Sequence, residues 1–173
     1  MNYSVAGIMN FNMFGISHVG ADICGFFGNE TNDPLCAKWA QLGTFYPFAR
    51  FHYDIHSPPN EPYHMAEPYF SIAKRTMLDR YQYLRALYTC MFEVSKNGGS
   101  CFDPLLYYFP TDDNVYHEIE QTFLFAGAIK VTPSLTETTD TTLNAYFPSG
   151  TWASLSDLGS NVQGGQKHAL DIS

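Results

Sequence analysis

The 173-residue chain has no apolar run near the ~20 residues a transmembrane helix needs, and no basic stretch ahead of a short apolar one. Neither a membrane span nor a signal peptide is therefore legible, and any targeting segment of a secretory protein lies outside these residues. Clustered Lys and Arg are also missing. With nine basic against seventeen acidic side chains the net charge is −8, which argues against binding a nucleic-acid backbone. No Cys pair has the two-residue spacing of a zinc knuckle or redox motif. Charged residues are sparse at 15%, whereas aromatic residues reach 16%. An acidic, aromatic-rich chain suits neutral polar ligands.

The four cysteines fall into local pairs, Cys24 with Cys36 and Cys90 with Cys101. Local disulfides are the economical reading; for Cys90 and Cys101, two buried thiols remain an equal alternative. Acceptor sequons at Asn2-Tyr3-Ser4 and Asn29-Glu30-Thr31 fit an oxidising compartment, and Asn29 is the better glycosylation candidate because it sits in a polar loop.

The stretch 14–28 carries the densest signal. Apolar residues lead to Gly20-Ala21, small enough for close backbone approach, and then Asp22 appears where a strand should end, followed by Cys24, Gly25 and Phe26. This predicts a buried strand feeding a glycine-hinged loop. A carboxylate beside aromatic walls suits a sugar, whose ring has an apolar face and a hydroxyl rim. On local sequence alone, a turn-capping role for Asp22 is the better supported of the two.

Around it, residues 1–14 read as a buried helix that starts abruptly, as though inside a structural element. Residues 35–48 read as a packed helix interrupted by Gly43 and stopped by Pro47. A long irregular segment follows, in which Pro58, Pro59, Pro62 and Pro68 keep the chain extended to about Ser71. It offers Arg50, read as a structural ion-pair partner, and His52, for which a hydrogen bond to a hydroxyl and a structural role are evenly balanced. From Ile72 to Val94, Met77, Tyr81, Leu84, Leu87, Tyr88, Met91 and Phe92 trace one face of a helix that Asn97-Gly98-Gly99 stops. Residues 103–110 read as a short buried strand, completing a helix–turn–strand unit of an α/β fold. Beyond Thr111 the pattern is β and turn: residues 118–125 read as a short helix or an extended stretch, strands are expected at 128–135 and 144–147, and Pro148-Ser149-Gly150 turns into Thr151-Trp152-Ala153. A domain boundary is expected at 110–114, dividing 1–110 from 111–173. The glycine-rich tail from Gly159 is expected to be poorly ordered.

Several blocks in order carry a resemblance over residues 1–157. They are Phe11-Asn12-Met13-Phe14-Gly15-Ile16, Val19-Gly20-Ala21-Asp22-Ile23-Cys24-Gly25-Phe26 and Gln41-Leu42-Gly43. Then come Phe45-Tyr46-Pro47-Phe48-Ala49-Arg50 with His52, Glu61-Pro62-Tyr63, Arg80-Tyr81, Tyr146-Phe147-Pro148 and Gly150-Thr151-Trp152. The chain resembles glycoside hydrolase family 31, the retaining α-glucosidases. That resemblance implies the C-terminal part of a (β/α)₈ barrel, to about Pro110, followed by part of an all-β sandwich. It implies that His52 contacts sugar hydroxyls, that Asp22 lines the same pocket, that Phe26 forms its wall, and that Arg50 is structural. It pairs Cys24 with Cys36. It also implies double displacement that needs no metal or organic cofactor, an α-glucoside oligosaccharide substrate, a need for the N-terminal part of the barrel, and a secretory-pathway location (lysosomal, endoplasmic reticulum or extracellular). The family's two catalytic carboxylates belong to motifs this sequence does not contain, so no catalytic residue is assigned to Asp22, Asp54, Glu61, Glu67 or Asp103, and the chain alone is expected to be inactive. Phe51 and Tyr53 stand where the family usually carries asparagines. The alternatives are a non-catalytic carbohydrate-binding or regulatory remnant and, more weakly, a structural interaction module.

Overall fold

The computed structural model describes residues 1–28, 32–117, 119–136 and 140–172. Its first element, α1 (Asn2–Met13), buries Val5, Ile8, Met9 and Asn12, an i, i+3, i+4, i+7 stripe. The helix is one-sided rather than fully buried: Tyr3, Phe11 and Met13 are exposed. Gly15, at φ 81°, ends it, with the Gly15 and Ile16 amides donating back to the Asn12 and Phe11 carbonyls.

The strand expected before Asp22 is reduced to a single parallel bridge, Ile23 to Phe51. The Phe48 amide donates to the Val19 carbonyl and the Ile23 amide to the Arg50 carbonyl, so two extended segments run side by side with no further neighbour. Among the described residues no other strand flanks this pair, so it gains no ladder beyond the one bridge. The expectation for Gly20 holds, since a Cβ there would collide with the Phe48 carbonyl.

Helix α2 (Asp33–Gly43) is capped by the Asn32 side chain, which accepts from the Leu35 amide at 2.9 Å, and has Pro34 in its first turn. Helix α3 (Tyr69–Asn97) has 29 residues and stops at Gly98, φ 76°. Its periodicity is the one expected, but the apolar face is open: Met77, Tyr81, Leu84, Tyr88 and Phe92 are exposed, while Ala73, Thr76 and Leu87 are buried. Small residues allow α3 to approach the rest of the core on that side. The disulfides Cys24–Cys36 and Cys90–Cys101 are both formed, which removes the free-thiol alternative and ties α3 to the strand that follows.

That strand, β1 (Phe102–Asp103), is shorter than expected, because Pro104 offers no amide and the chain turns into a 3₁₀ helix at Leu105–Tyr107. Antiparallel β2 (Phe123–Phe125) and β3 (Ile129–Val131) complete its sheet. Phe102 stacks on Phe123 at 3.8 Å, and both join the cluster of Val5, Ile8 and Tyr46. One core therefore runs from α1 through this sheet.

The last four strands form two antiparallel ribbons. β4 (Thr142–Phe147) pairs with β7 (Gln166–Asp171), and β5 (Thr151–Ala153) with β6 (Asn161–Gln163). Residues 161–163 and 166–171 of the tail thus form paired strands, contrary to the expectation of poor order. Its polar composition hides a period-2 pattern in which His168 and Leu170 turn inward and Lys167, Ala169 and Asp171 outward. No described helix is long and apolar enough to cross a membrane.

Candidate functional site

The Ile23–Phe51 bridge brings the loop after Ile23 against the segment after Arg50. Three hydrogen bonds then fix the pair. The Asp54 amide donates to the Phe26 carbonyl at 2.9 Å, and the Asn60 amide nitrogen donates to the Gly25 and His52 carbonyls at 3.1 and 3.4 Å. Asn60 is buried, at 8% exposure, so it works as an internal clamp between the two loops. Sequence reasoning passed over it, and the only local signal is its place between Pro59 and Pro62. The Cys24–Cys36 bridge fastens the first loop to α2, and Cys24 is held at φ 81°, a conformation a non-glycine residue adopts at a cost of ~1–3 kcal/mol.

Two side-chain pairs stand on this frame. Arg50 Nε donates to Asp22 Oδ1 at 2.5 Å, and the guanidinium lies 5.5 Å from the Phe48 ring centroid. Beside them Phe26 and His52 face each other with ring centroids 5.3 Å apart. Phe26 also meets the exposed Phe27 edge-on at 4.6 Å. His52 is exposed and Phe26 half-buried, so an imidazole and an aromatic face are open to solvent together. Chemically this is a hydrogen-bonding ring next to an apolar wall. Asp22 supplies charge compensation for Arg50 rather than a free carboxylate.

The other candidates fall elsewhere. Asn2 is exposed in the first turn of α1, and the Ser4 hydroxyl of its sequon is engaged with the Met1 carbonyl and the Tyr46 hydroxyl. Asn29 lies outside the described residues. Tyr46, also bonded to Trp39 Nε1, is fully buried, and that desolvation pushes its pKa up to about 12. A mainly apolar cavity of about 330 Å³ opens between α2 and α3, against Ile23 and Phe51; none of Asp22, Phe26 and His52 lines it. No group of three or more His, Cys, Asp or Glu side chains suited to a metal occurs among the described residues.

The acidic side chains singled out from the sequence are all engaged. Asp54 accepts from the His56 amide, Glu61 from the Tyr53 hydroxyl, and Glu67 from Ser71. Asp103 accepts from Ser100 and Tyr108, and burial raises its pKa against the lowering effect of those two bonds.

Comparison with known proteins gives this arrangement a context. Residues 1–90 match the family model for the glycosyl hydrolases family 31 TIM-barrel domain, and residues 98–173 that for the family 31 C-terminal domain. The chain is 41% identical over 150 residues to lysosomal alpha-glucosidase of Mus musculus, a match covering 87% of this chain and 15% of that protein. It is 40% identical over 152 residues to intestinal sucrase-isomaltase of Homo sapiens, covering 88% of this chain and 8% of the relative. A Listeria monocytogenes EGD-e protein crystallised with α-D-glucose, β-D-glucose, magnesium and calcium shares the fold. There the TM-score is 0.92 at 20% identity, over 99% of this chain and 17% of that one. The chain spans less than a fifth of the length of these proteins. With both halves matched, the chain belongs to glycosyl hydrolase family 31.

Proposed function

We propose that this chain contributes one wall of the glucose-binding pocket of a retaining α-glucosidase-type hydrolase. The observation that carries this reading is the Ile23–Phe51 bridge, which seats Phe26 against His52 above the Arg50–Asp22 pair. His52 donates to or accepts from a sugar hydroxyl, Phe26 covers an apolar ring face, and Asp22 holds Arg50 and orders the floor. The names of its curated relatives support a terminal α-linked glucose as the group recognised. We place the boundary between barrel and sandwich at 110–114, and the protein in the secretory pathway, where its two disulfides would persist.

Retaining hydrolysis needs a nucleophile and an acid/base carboxyl ~5 Å apart across the scissile bond. None of the carboxylates reviewed above stands in either of the family's catalytic motifs, so the catalytic pair comes from the remainder of the barrel, and the present chain by itself does not turn over. The test has two arms. Glucose added to the purified chain should shift the His52 ring resonances and leave them unmoved in Phe26→Ala. Maltose or a chromogenic α-glucoside should release no glucose. Turnover abolished by Asp22→Asn would refute the assignment of the carboxylates, and saturable glucose binding unaffected by both His52→Gln and Phe26→Ala would refute the pocket.

A further inference from the structure

We propose that Arg80 is a positioning residue for His52, acting through the turn that joins α2 to the His52 segment; the inference rests on the reading of His52 as a sugar contact. Arg80 lies on α3, far from His52 in sequence, and its side chain crosses to that turn. Nη1 donates to the Thr44 and Tyr46 carbonyls at 2.7 Å each and to the Gly43 carbonyl at 3.5 Å, while Nη2 donates to the Pro47 carbonyl at 3.3 Å. Four successive acceptors over residues 43–47, with only Phe45 skipped, are gathered by one planar fork.

The chemistry explains why an arginine is there. These carbonyls sit at and beyond the C-terminal end of α2, the negative end of its dipole, where backbone acceptors lack intrahelical partners. Arg80 is in neither of the ion pairs Arg50–Asp22 and His64–Glu61. Its charge is compensated by carbonyl dipoles, and burial pulls its pKa down from the free value. A lysine would keep the charge but lose the divergent donors that span the turn.

The mechanical consequence follows from the next bonds along the chain. One residue after Pro47, the Phe48 amide joins the Val19 carbonyl, and two residues later the Arg50 carbonyl receives the Ile23 amide. The segment is also held by the Asp54–Phe26 bond, the Asn60 clamp and the Arg50–Asp22 pair, and Arg80 anchors the turn that leads into it from α2, together with the bond from the Thr44 hydroxyl to the Thr76 carbonyl and the buried Tyr46. Releasing that turn loosens residues 48–52 against 19–26 at the end nearest α2, which shifts His52 against Phe26 while the Asn60 clamp keeps the two loops together.

The experiment compares Arg80→Ala, Arg80→Lys and Leu87→Ala in the full disulfide-bonded chain by amide hydrogen exchange, by the His52 C2-proton resonance, and by glucose titration. Leu87 is buried on the same helix and removes only apolar contact. The expected result for Arg80→Ala is exchange at Ile23 and Phe48 about tenfold faster than in α1, a displaced His52 resonance, and weaker glucose binding. Arg80→Lys should move the same observables in the same direction by less, and Leu87→Ala should leave the His52 resonance in place. The proposal is overturned if Leu87→Ala moves His52 as far as Arg80→Ala does, or if Arg80→Ala leaves all three unchanged. Should Arg80→Ala not fold, an unchanged Arg80→Lys overturns it equally. If the unmodified chain binds no glucose, the sugar reading falls, while exchange and the His52 resonance still decide the positioning role.

Discussion

Replacing Asn60 by alanine tests whether the two loops are held together from inside. Its side-chain nitrogen serves the Gly25 and His52 carbonyls, and its side-chain oxygen is buried without a partner among the described residues. Losing the two donated bonds costs ~1–1.5 kcal/mol each, and removing the unsatisfied buried oxygen returns about 1, so the net loss is ~1–2 kcal/mol. The 3.4 Å bond to His52 is the weaker of the two, which places the variant toward the low end. Asn60→Asp separates this account from simple packing. A carboxylate facing two carbonyls opposes acceptor to acceptor, and burial raises its pKa, so its protonated form regains one donor. Its stability contribution is then present below the ordinary carboxylate pKa of ~3.9 and is lost as pH rises through the raised folded value. Urea unfolding at pH 4 and pH 7 measures both effects. A loss under about 0.5 kcal/mol for Asn60→Ala, or an Asn60→Asp penalty that does not grow with pH, would refute the clamp.

Phe123→Ala removes a fully buried ring stacked on Phe102 and should cost ~3–5 kcal/mol in the same unfolding assay, against almost nothing for the exposed Phe92→Ala. Replacing Cys24 and Cys36 together by alanine opens a loop of 12 residues' separation and should cost about 3 kcal/mol, with faster proteolysis near Gly25 as the local sign. Asp103 has its carboxyl pKa raised by burial, so it contributes stability below the ordinary carboxylate range that is lost as pH rises through the folded value. The stability of the native chain relative to Asp103→Asn should therefore fall between acid and neutral pH, and a flat difference would contradict the desolvated environment.

Much of the architecture was readable in one dimension because its signals are local. Helix α3 announced itself by apolar spacing and by Asn97-Gly98-Gly99, and α1 by its apolar run, though only packing showed that it buries one stripe. Gly20 was legible as a close approach. What failed were inferences needing knowledge of the neighbours. The stretch before Asp22 has strand composition but only one bridge, since pairing depends on which segments lie alongside it, not on its own composition. The apolar face of α3 was read correctly as a face, yet whether it is covered depends on what packs there. The tail looked disordered because polar residues on its outer face mask the alternation that pairs β7 with β4.

By itself the sequence determined the family, the helices and the set of groups at stake: an imidazole, an aromatic wall, an ion pair and two cysteine pairs. These follow from residue identity and short spacing. Tertiary structure decided which of them meet. It spent Asp22 on Arg50, set Phe26 against His52, and used Asn60 and Arg80 to hold both loops, over separations of 26 to 37 residues that no local pattern encodes. The physical reason is that buried carbonyls must find donors, and which donor reaches them is a property of packing, not of neighbouring residues.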